Sequence, residues 1–172
     1  MTRIENEWRY FDNAFDMPYP WYTRPCIEWL LTLDLEGKDI WEYGVGDSTR
    51  WYQAKGCDTF GVDHDPAWVS MKMGEDFSCA YHITSQKERY IYPFDHLEYD
   101  IIVIDGLFRD DCTEPALKQL KSGGFLIIDN YKQASAELAA WPLTEKLLWH
   151  MDVKEFKEPG HKDWITIVVQ KP

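Results

Sequence analysis

The sequence predicts a doubly wound α/β fold, a mostly parallel sheet with helices on both faces and an antiparallel pair at one edge. Three observations carry this. Short β-prone runs alternate with helical stretches through most of the chain. Residues 39–65 read as strand, glycine turn, helix and second strand with an acidic end, which is half of a nucleotide-binding βαβ unit. The last two β-prone segments, roughly Lys146 to Phe156 and Asp163 to Val169, flank a Pro159-Gly160 turn and make a hairpin-like end.

Taken in order, residues 1–22 mix polar and aromatic side chains with Pro18 and Pro20, so they read as an arm or lid on a single domain spanning 1–172. Trp21 and Tyr22 can fold over a ligand mouth or simply anchor the arm. Thr23 suits an N-cap and Pro25 a first helical turn, and the apolar face of Cys26, Ile27, Trp29, Leu30, Leu31 and Leu33 carries that helix to Gly37. Ile40 to Tyr43 is a short strand and Gly44-Val45-Gly46 a sharp turn; Ser48 or Thr49 caps a helix through Ala54 that Gly56 ends. Thr59 to Val62 is the next strand and delivers Asp63 to its carboxyl end. Pro66 opens a helix through Met73, closed by Gly74, and Cys79 to Thr84 is a third strand. Ser85 to Glu98 has room for one helical turn at most.

Tyr99 to Asp105, YDIIVID, is the strongest strand, and its unbroken apolar centre suits a sheet covered on both faces. Asp111-Cys112-Thr113-Glu114 has the form of a capping box that opens a helix through Leu120 with Pro115 in its first turn. Lys121-Ser122-Gly123-Gly124 breaks that helix, with Lys121 as its solvated terminus. Phe125 to Ile128 is the fifth strand, ending in Asp129-Asn130, and Gln133 to about Trp141 reads as helical.

Hydrophobic residues make up 45% of the 172 and aromatics 16%, with nine Trp and ten Tyr, enough for a substantial core with rings left for a pocket or an oligomer interface. The net charge of -12 without a Lys/Arg block argues against broad phosphate-backbone binding, so a nucleic acid is not the expected partner beyond a small local patch. Cys26, Cys57, Cys79 and Cys112 form neither CxxC nor a Cys/His zinc pattern and read as free thiols of a reducing compartment. The start has no apolar signal core and no apolar run reaches roughly eighteen residues, so the expectation is a cytoplasmic protein with no membrane attachment.

In doubly wound sheets ligands collect beyond the carboxyl ends of the strands. Here those positions are Glu42 to Gly46, Asp63-His64, Thr84 to Gln86, Asp105-Gly106 and Asp129-Asn130. Gly44 and Gly46 permit the turn and a close ligand approach, and Asp63, nineteen residues beyond Gly44, can accept two bonds from ribose hydroxyls. Glu42 can hold a cationic amino group of the ligand, directly or through water, or stabilise the turn. Ser48 stands where a dinucleotide fingerprint more often has a third glycine, which favours a mononucleoside cofactor without phosphates. His64 can lie against an adenine face, and Asp65 can cap the helix at Pro66. Asp105, Asp129 and Asn130 end neighbouring strands; they offer a half-shell for Mg²⁺ or Ca²⁺, or position a cofactor and a substrate hydroxyl by hydrogen bonds alone. Arg109 can pair with an acidic substrate group or with one of those carboxylates. The other histidines share no triad spacing, and neither G-x-S-x-G nor a P-loop is present.

On four motifs in order, over about residues 23–170, the chain resembles a class I S-adenosylmethionine-dependent methyltransferase. EYGVGDS at 42–48 is similar to the family's first motif, and GVDHDP at 61–66 to its second, which implies Asp63 on the ribose hydroxyls. YDIIVIDG at 99–106 is similar to the fourth-strand motif, and LKSGGFLIIDN at 120–130 to the Leu-x-Pro-Gly-Gly segment and fifth strand. The resemblance implies a seven-stranded sheet with its last strand antiparallel, S-adenosylmethionine as cofactor, and methyl transfer to a small-molecule oxygen or nitrogen nucleophile. It further implies that Gly44 and Gly46 admit the cofactor, Glu42 takes its amino acid end, and Asp105 or Asp129 orients or deprotonates the acceptor. Catechol-type members hold a divalent metal through an Asp after the fourth strand and an Asp-Asn pair after the fifth, which maps Mg²⁺ onto Asp105, Asp129 and Asn130.

Departures are Ser48 for the third glycine, Ser122 for the proline, the short crossover at 85–98 and the lack of a Lys base near Asp105. No NPPY- or DPPY-like segment supports amino-group methylation of DNA. A noncatalytic S-adenosylmethionine-binding or partner protein and a small NAD-dependent oxidoreductase stand as alternatives. A homo-oligomer that closes the site through exposed aromatic surface is a further expectation.

Overall fold

The chain was analysed as a computed structural model that describes residues 11–12, 17–73, 80–92, 98–132 and 140–172. In chain order the elements are β1 (Phe11–Asp12), β2 (Met17–Pro18), α1 (Arg24–Leu30), β3 (Asp39–Tyr43), α2 (Asp47–Ala54), β4 (Asp58–Asp63), α3 (Pro66–Met73) and β5 (Ala80–Ile83). They continue with α4 (Lys87–Ile91), β6 (Tyr99–Ile104), α5 (Arg109–Gln119), β7 (Leu120–Ile128), α6 (Pro142–Leu148), β8 (Val153–Lys157) and β9 (Ile165–Gln170). β1 and β2 pair as a small antiparallel ribbon; the other strands form one seven-stranded sheet in the order β5-β4-β3-β6-β7-β9-β8.

Five strands, β5 to β7 in that order, are parallel, and β9 runs antiparallel to both of its neighbours. The last strand is thus antiparallel as expected, but it does not form the edge. Its apolar run Ile165 to Val169 is buried at four successive positions and needs cover on both faces, so it slots between β7 and β8. β8, VKEFK, has no fully buried residue and takes the edge, where its lysines and glutamate remain in water.

Chain order reverses between β3 and β6, which opens a crevice at their carboxyl ends. The register makes these ends level. Tyr43 pairs with both Val62 and Ile104, and Ile104 pairs with Ile128, so Gly44, Asp63, Asp105 and Asp129 all step off the sheet together. Alternation along the strands splits the core in two. Trp41, Tyr43, Ile102, Ile104, Leu126 and Ile128 face one layer with Tyr90 and Tyr99, while Ile40, Ile101, Val103 and Ile127 face the other with Tyr22, Leu30, Trp51 and Tyr52. Each such fully buried side chain contributes about 1.5–3 kcal/mol. Among the described residues, nine aromatic rings are buried in these two layers.

Several element ends differ from the sequence expectation. α1 stops at Leu30, and Gly37, with φ +68, instead donates its N–H to the Gly56 carbonyl. α5 begins two residues before the Asp111 box, so Pro115 lies inside it. Lys121 is not a helix terminus: it belongs to β7 and pairs with Asp39 and Asp100, both at 2.8 Å. Lys146 to Leu148, expected in a strand, are helical because Asp110 accepts the first-turn N–H groups of Leu143 and Thr144 at 3.1 and 2.8 Å. The helix expected from Gln133 and the thiol of Cys79 lie outside the described residues, whereas Cys26, Cys57 and Cys112 are buried free thiols. Among the described residues no helix is long and apolar enough to cross a membrane.

Candidate functional site

At the crevice two backbones touch. Gly44 leaves β3 with φ +100, and a Cβ there would lie 2.8 Å from the Gly106 nitrogen. The reverse also holds, since a side chain on Gly106 would meet the Gly44 nitrogen and the Tyr90 hydroxyl, which accepts the Leu107 N–H at 3.0 Å. Glycine is obligatory at both positions. A third glycine, Gly61, makes room in β4 for Val45, whose methyl would clash with any Cβ there.

Asp63 shapes the loop it faces. Its Oδ2 accepts the Val45 N–H at 3.1 Å, and its Oδ1 accepts the N–H groups of His64 and Asp65 at 2.6 and 2.9 Å. The His64 ring is half exposed, with Nδ1 3.2 Å from Asp63 Oδ1. Asp65 caps α3 as expected, accepting from Ala67 and Trp68.

Gly46 precedes α2 in extended backbone, which any residue adopts, and its N–H donates to Thr49 Oγ1 at 2.9 Å. Thr49 therefore caps backwards from the first turn, not from the N-cap position. A Cβ on Gly46 would meet only the Trp68 ring at 3.6 Å, an ordinary contact. Packing within the chain gives no reason for glycine there. The Trp68 indole donates to the Val45 carbonyl at 2.8 Å, and Lys72, one turn on, pairs with buried Asp47 at 2.6 Å. Lys72 also lies over the rings of Trp21 and Trp68, 5.3 and 4.8 Å from their centroids. Of the two aromatic residues that precede α1, Tyr22 is the buried anchor and Trp21, 42% exposed, stands edge-on to Trp68 beside Gly46.

Glu42 is fully buried, and neither carboxylate oxygen has a hydrogen-bond partner. Burial pushes its carboxyl up to about 7; the hydroxyls of Ser48 and Thr49 are close enough to temper the shift without making a well-formed bond. The hydroxyls of Tyr22 and Tyr52, buried within electrostatic reach of Glu42, are also unpartnered. Buried polar groups without partners are rare enough to need a reason.

Across the crevice, Arg109 ties the ends of β6 and β7 together. Nε donates to the Gly106 carbonyl at 2.9 Å, one terminal nitrogen donates to the Asp129 carbonyl at 2.7 Å and Asn130 Oδ1 at 3.0 Å, and the other to the Asp105 carbonyl at 2.8 Å. That second nitrogen also lies 2.9 Å from Asp105 Oδ1. The loops here are tightly wound, with Phe108 and Asn130 in left-handed conformation at φ 51 and 52. The Asp129 carboxyl turns to β9, where Thr166 donates to it at 2.5 Å, and Thr166 in turn accepts the Thr23 N–H at 3.0 Å. Burial, then the charge of Asp105, raises the Asp129 carboxyl. Burial raises Asp105 as well, with Arg109 opposing it.

The structure thus brings Glu42, Gly44, Gly46, Asp63, His64, Asp105 and Asp129 to one end of the sheet, with His64 outermost and Asp129 behind the others. The sequence reading missed Trp68 and Lys72, whose one-turn spacing on α3 was a usable signal, and Tyr52, Tyr90 and Thr166, for which there was none. At the opposite end of the sheet a groove is bordered by Lys38, Asp100 and Lys121, whose charges balance once Asp39, paired with Lys121, is counted. Among the described residues no three His, Cys, Asp or Glu side chains converge as a metal site.

No sequence-family model matches the chain, and no curated protein matches it. Solved structures do. The O-methyltransferase TomG from Streptomyces achromogenes, in complex with SAM, superposes with a TM-score of 0.66 at 13% identity, covering 98% of this chain and 94% of that one. The N-methyltransferase NodS from Bradyrhizobium japonicum WM9 gives 0.57 at 16% identity over 94% of this chain and 98% of its own. The 16S rRNA N2 G1207 methyltransferase RsmC from T. thermophilus, in complex with AdoMet and guanosine, gives 0.59 at 17% identity over 80% of this chain and 38% of that one. Their acceptors differ while the architecture is constant, and identities this low carry the fold alone. In strand order, strand direction and overall superposition, the chain has the Rossmann-like fold of the class I S-adenosylmethionine-dependent methyltransferases.

Proposed function

We propose that the chain binds S-adenosylmethionine at the carboxyl ends of β3 and β4 and transfers its methyl group to a small-molecule oxygen or nitrogen nucleophile. The observation that carries this is Glu42, a sealed carboxyl with both oxygens unpartnered beside the Gly44 turn. A cationic α-amino group supplies the partner it lacks. Gly46, for which chain packing gives no reason, lets a ligand approach the backbone at the start of α2, whose first-turn N–H groups suit a carboxylate. Asp63 takes the ribose hydroxyls, with Oδ2 the less occupied oxygen, and the half-exposed His64 ring faces the adenine.

The cofactor's sulfonium makes its methyl carbon electrophilic, so the protein need only align the acceptor and exclude water. Asp105, partly exposed, orients or deprotonates the acceptor. Asp129 stands behind it, its carboxyl pKa raised by burial, and fixes the β7 loop through Thr166. Trp21 and Trp68 wall the cofactor's amino acid end.

Calorimetric titration with S-adenosylhomocysteine tests the cofactor part. Wild-type protein is expected to bind, and Asp63→Ala to bind at least about tenfold more weakly, since a charge-assisted hydrogen bond contributes about 1.5–3 kcal/mol. Equal affinities would remove Asp63 from the site, and no binding by the wild type would end the proposal. One observation favours the alternative of binding without turnover: both strand-end aspartates are already engaged within the chain. S-adenosylhomocysteine product formed above the enzyme-free rate on a panel of hydroxyl and amine acceptors decides between the two.

A further inference from the structure

We infer that Arg109 is the resident cation of the acidic pole formed by Asp105, Asp129 and Asn130, and that this pole works without a divalent metal. A guanidinium has five N–H donors in a fixed plane, and Arg109 donates four hydrogen bonds, to Gly106, Asp129, Asn130 and Asp105, and pairs with the Asp105 carboxylate as well. Several of the oxygens that a hard divalent ion would need are among its acceptors. Asp105 Oδ1, Asn130 Oδ1 and the Asp129 carbonyl all face Arg109, and Asp129 Oδ1 accepts from Thr166 and Trp164, which leaves one oxygen on each carboxyl. A metal ion on those two oxygens would have to sit beside the Arg109 charge. The three residues therefore do not fit a metal while Arg109 is in place.

The position of Arg109 argues that the pole selects it. It is the first residue of α5, where a cation opposes the helix dipole, and its side chain is only 13% exposed. Asp110 and Asp111 follow it in the first turn and offset that cost. An arginine cannot deprotonate in the working pH range, so the pole has a fixed charge where a bound metal would have a variable occupancy. Arg109 acts through Asp105: it takes Oδ1 and leaves Oδ2 to the acceptor. It is a positioning residue, and its assignment to an acceptor rests on the methyltransferase reading, whereas its exclusion of metal does not.

The test is Mn²⁺ titration, followed by electron paramagnetic resonance, of the wild type, Asp105→Asn and Arg109→Ala. The wild type is expected to show no saturable Mn²⁺ site at millimolar concentration, and its affinity for S-adenosylhomocysteine to be the same in EDTA and in Mg²⁺. Arg109→Ala is expected to gain a Mn²⁺ site at least about tenfold tighter than any in the wild type, and free guanidinium ion to compete with Mn²⁺ for it. A merely structural arginine predicts neither. A saturable wild-type site that Asp105→Asn abolishes would overturn the inference, as would a folded Arg109→Ala that takes up neither Mn²⁺ nor guanidinium. Should Arg109→Ala fail to fold, the wild-type and Asp105→Asn titrations decide alone. S-adenosylhomocysteine that fails to bind any sample would sink the methyltransferase reading and leave the metal result standing.

Discussion

Burial disfavours the charged form of a carboxyl in the position of Glu42, and the nearby Ser48 and Thr49 hydroxyls only partly offset this. Its folded-state value of about 7 lies above the ordinary 4.5, so between these the folded chain binds more protons than the unfolded one. The stability it contributes is complete below about 4.5 and is lost as pH rises through about 7. Above that, the buried charge costs roughly 3 kcal/mol. Glu42→Gln removes the titration: its stability relative to the wild type is expected to be higher at pH 8 than at pH 5 in urea denaturation. Parallel pH profiles would place the proton elsewhere. The same substitution is expected to weaken cofactor binding, since a neutral amide cannot match an ammonium. Glu42 was legible from its place before a glycine turn, but its isolation was not, because that depends on where Tyr22 and Tyr52 come to rest.

Among the elements, α6 depends on a residue from its neighbour. Asp110 accepts two of its first N–H groups, and the Thr113 and Thr144 hydroxyls meet at 2.7 Å alongside. Asp110→Ala is expected to destabilise the protein by about 1 kcal/mol, measurable by thermal denaturation, while cofactor affinity stays within about twofold because α6 lies off the crevice. The long-range cap explains why the sequence suggested a strand from Lys146: α6 has no strong cap of its own, and Pro142 alone does not announce it. For β3, α2, β4, α3 and β6 the reading came within a residue or two, because glycines, caps and apolar runs are local signals. It failed where tertiary ion pairs decide, as at Lys121 drawn into β7 by Asp39 and Asp100.

For the molecule as a whole, the strand register was the least legible feature and the most consequential. Five aligned segments could be found in the sequence, yet only pairing brings Gly44 level with Asp105 and sets Gly106 against it. Ligand at that level contacts residues from several strands and should stabilise the entire sheet. At one hundred times its dissociation constant, S-adenosylhomocysteine is expected to add about 2.7 kcal/mol, raising Tm by roughly 5–10 °C for a chain of this size. A thermal scan with adenosine as the control ligand checks it; equal shifts for the two would mean that the amino acid end, and so Glu42, is not engaged.

The slot filled by β9 also bears on the order in which a nascent chain can acquire its form. β7 and β8 have no ladder to each other, and the strand that joins them is made after both. While a ribosome still holds residues 165–170, β8 has nothing to pair with, and Asp129 lacks the Thr166 hydroxyl that fixes it. The glycine loop and Asp63 can assemble early, during synthesis. The acidic pole with Arg109 becomes final only once residues 165–170 have emerged, and until then this end of the protein is the part most exposed to proteases and chaperones.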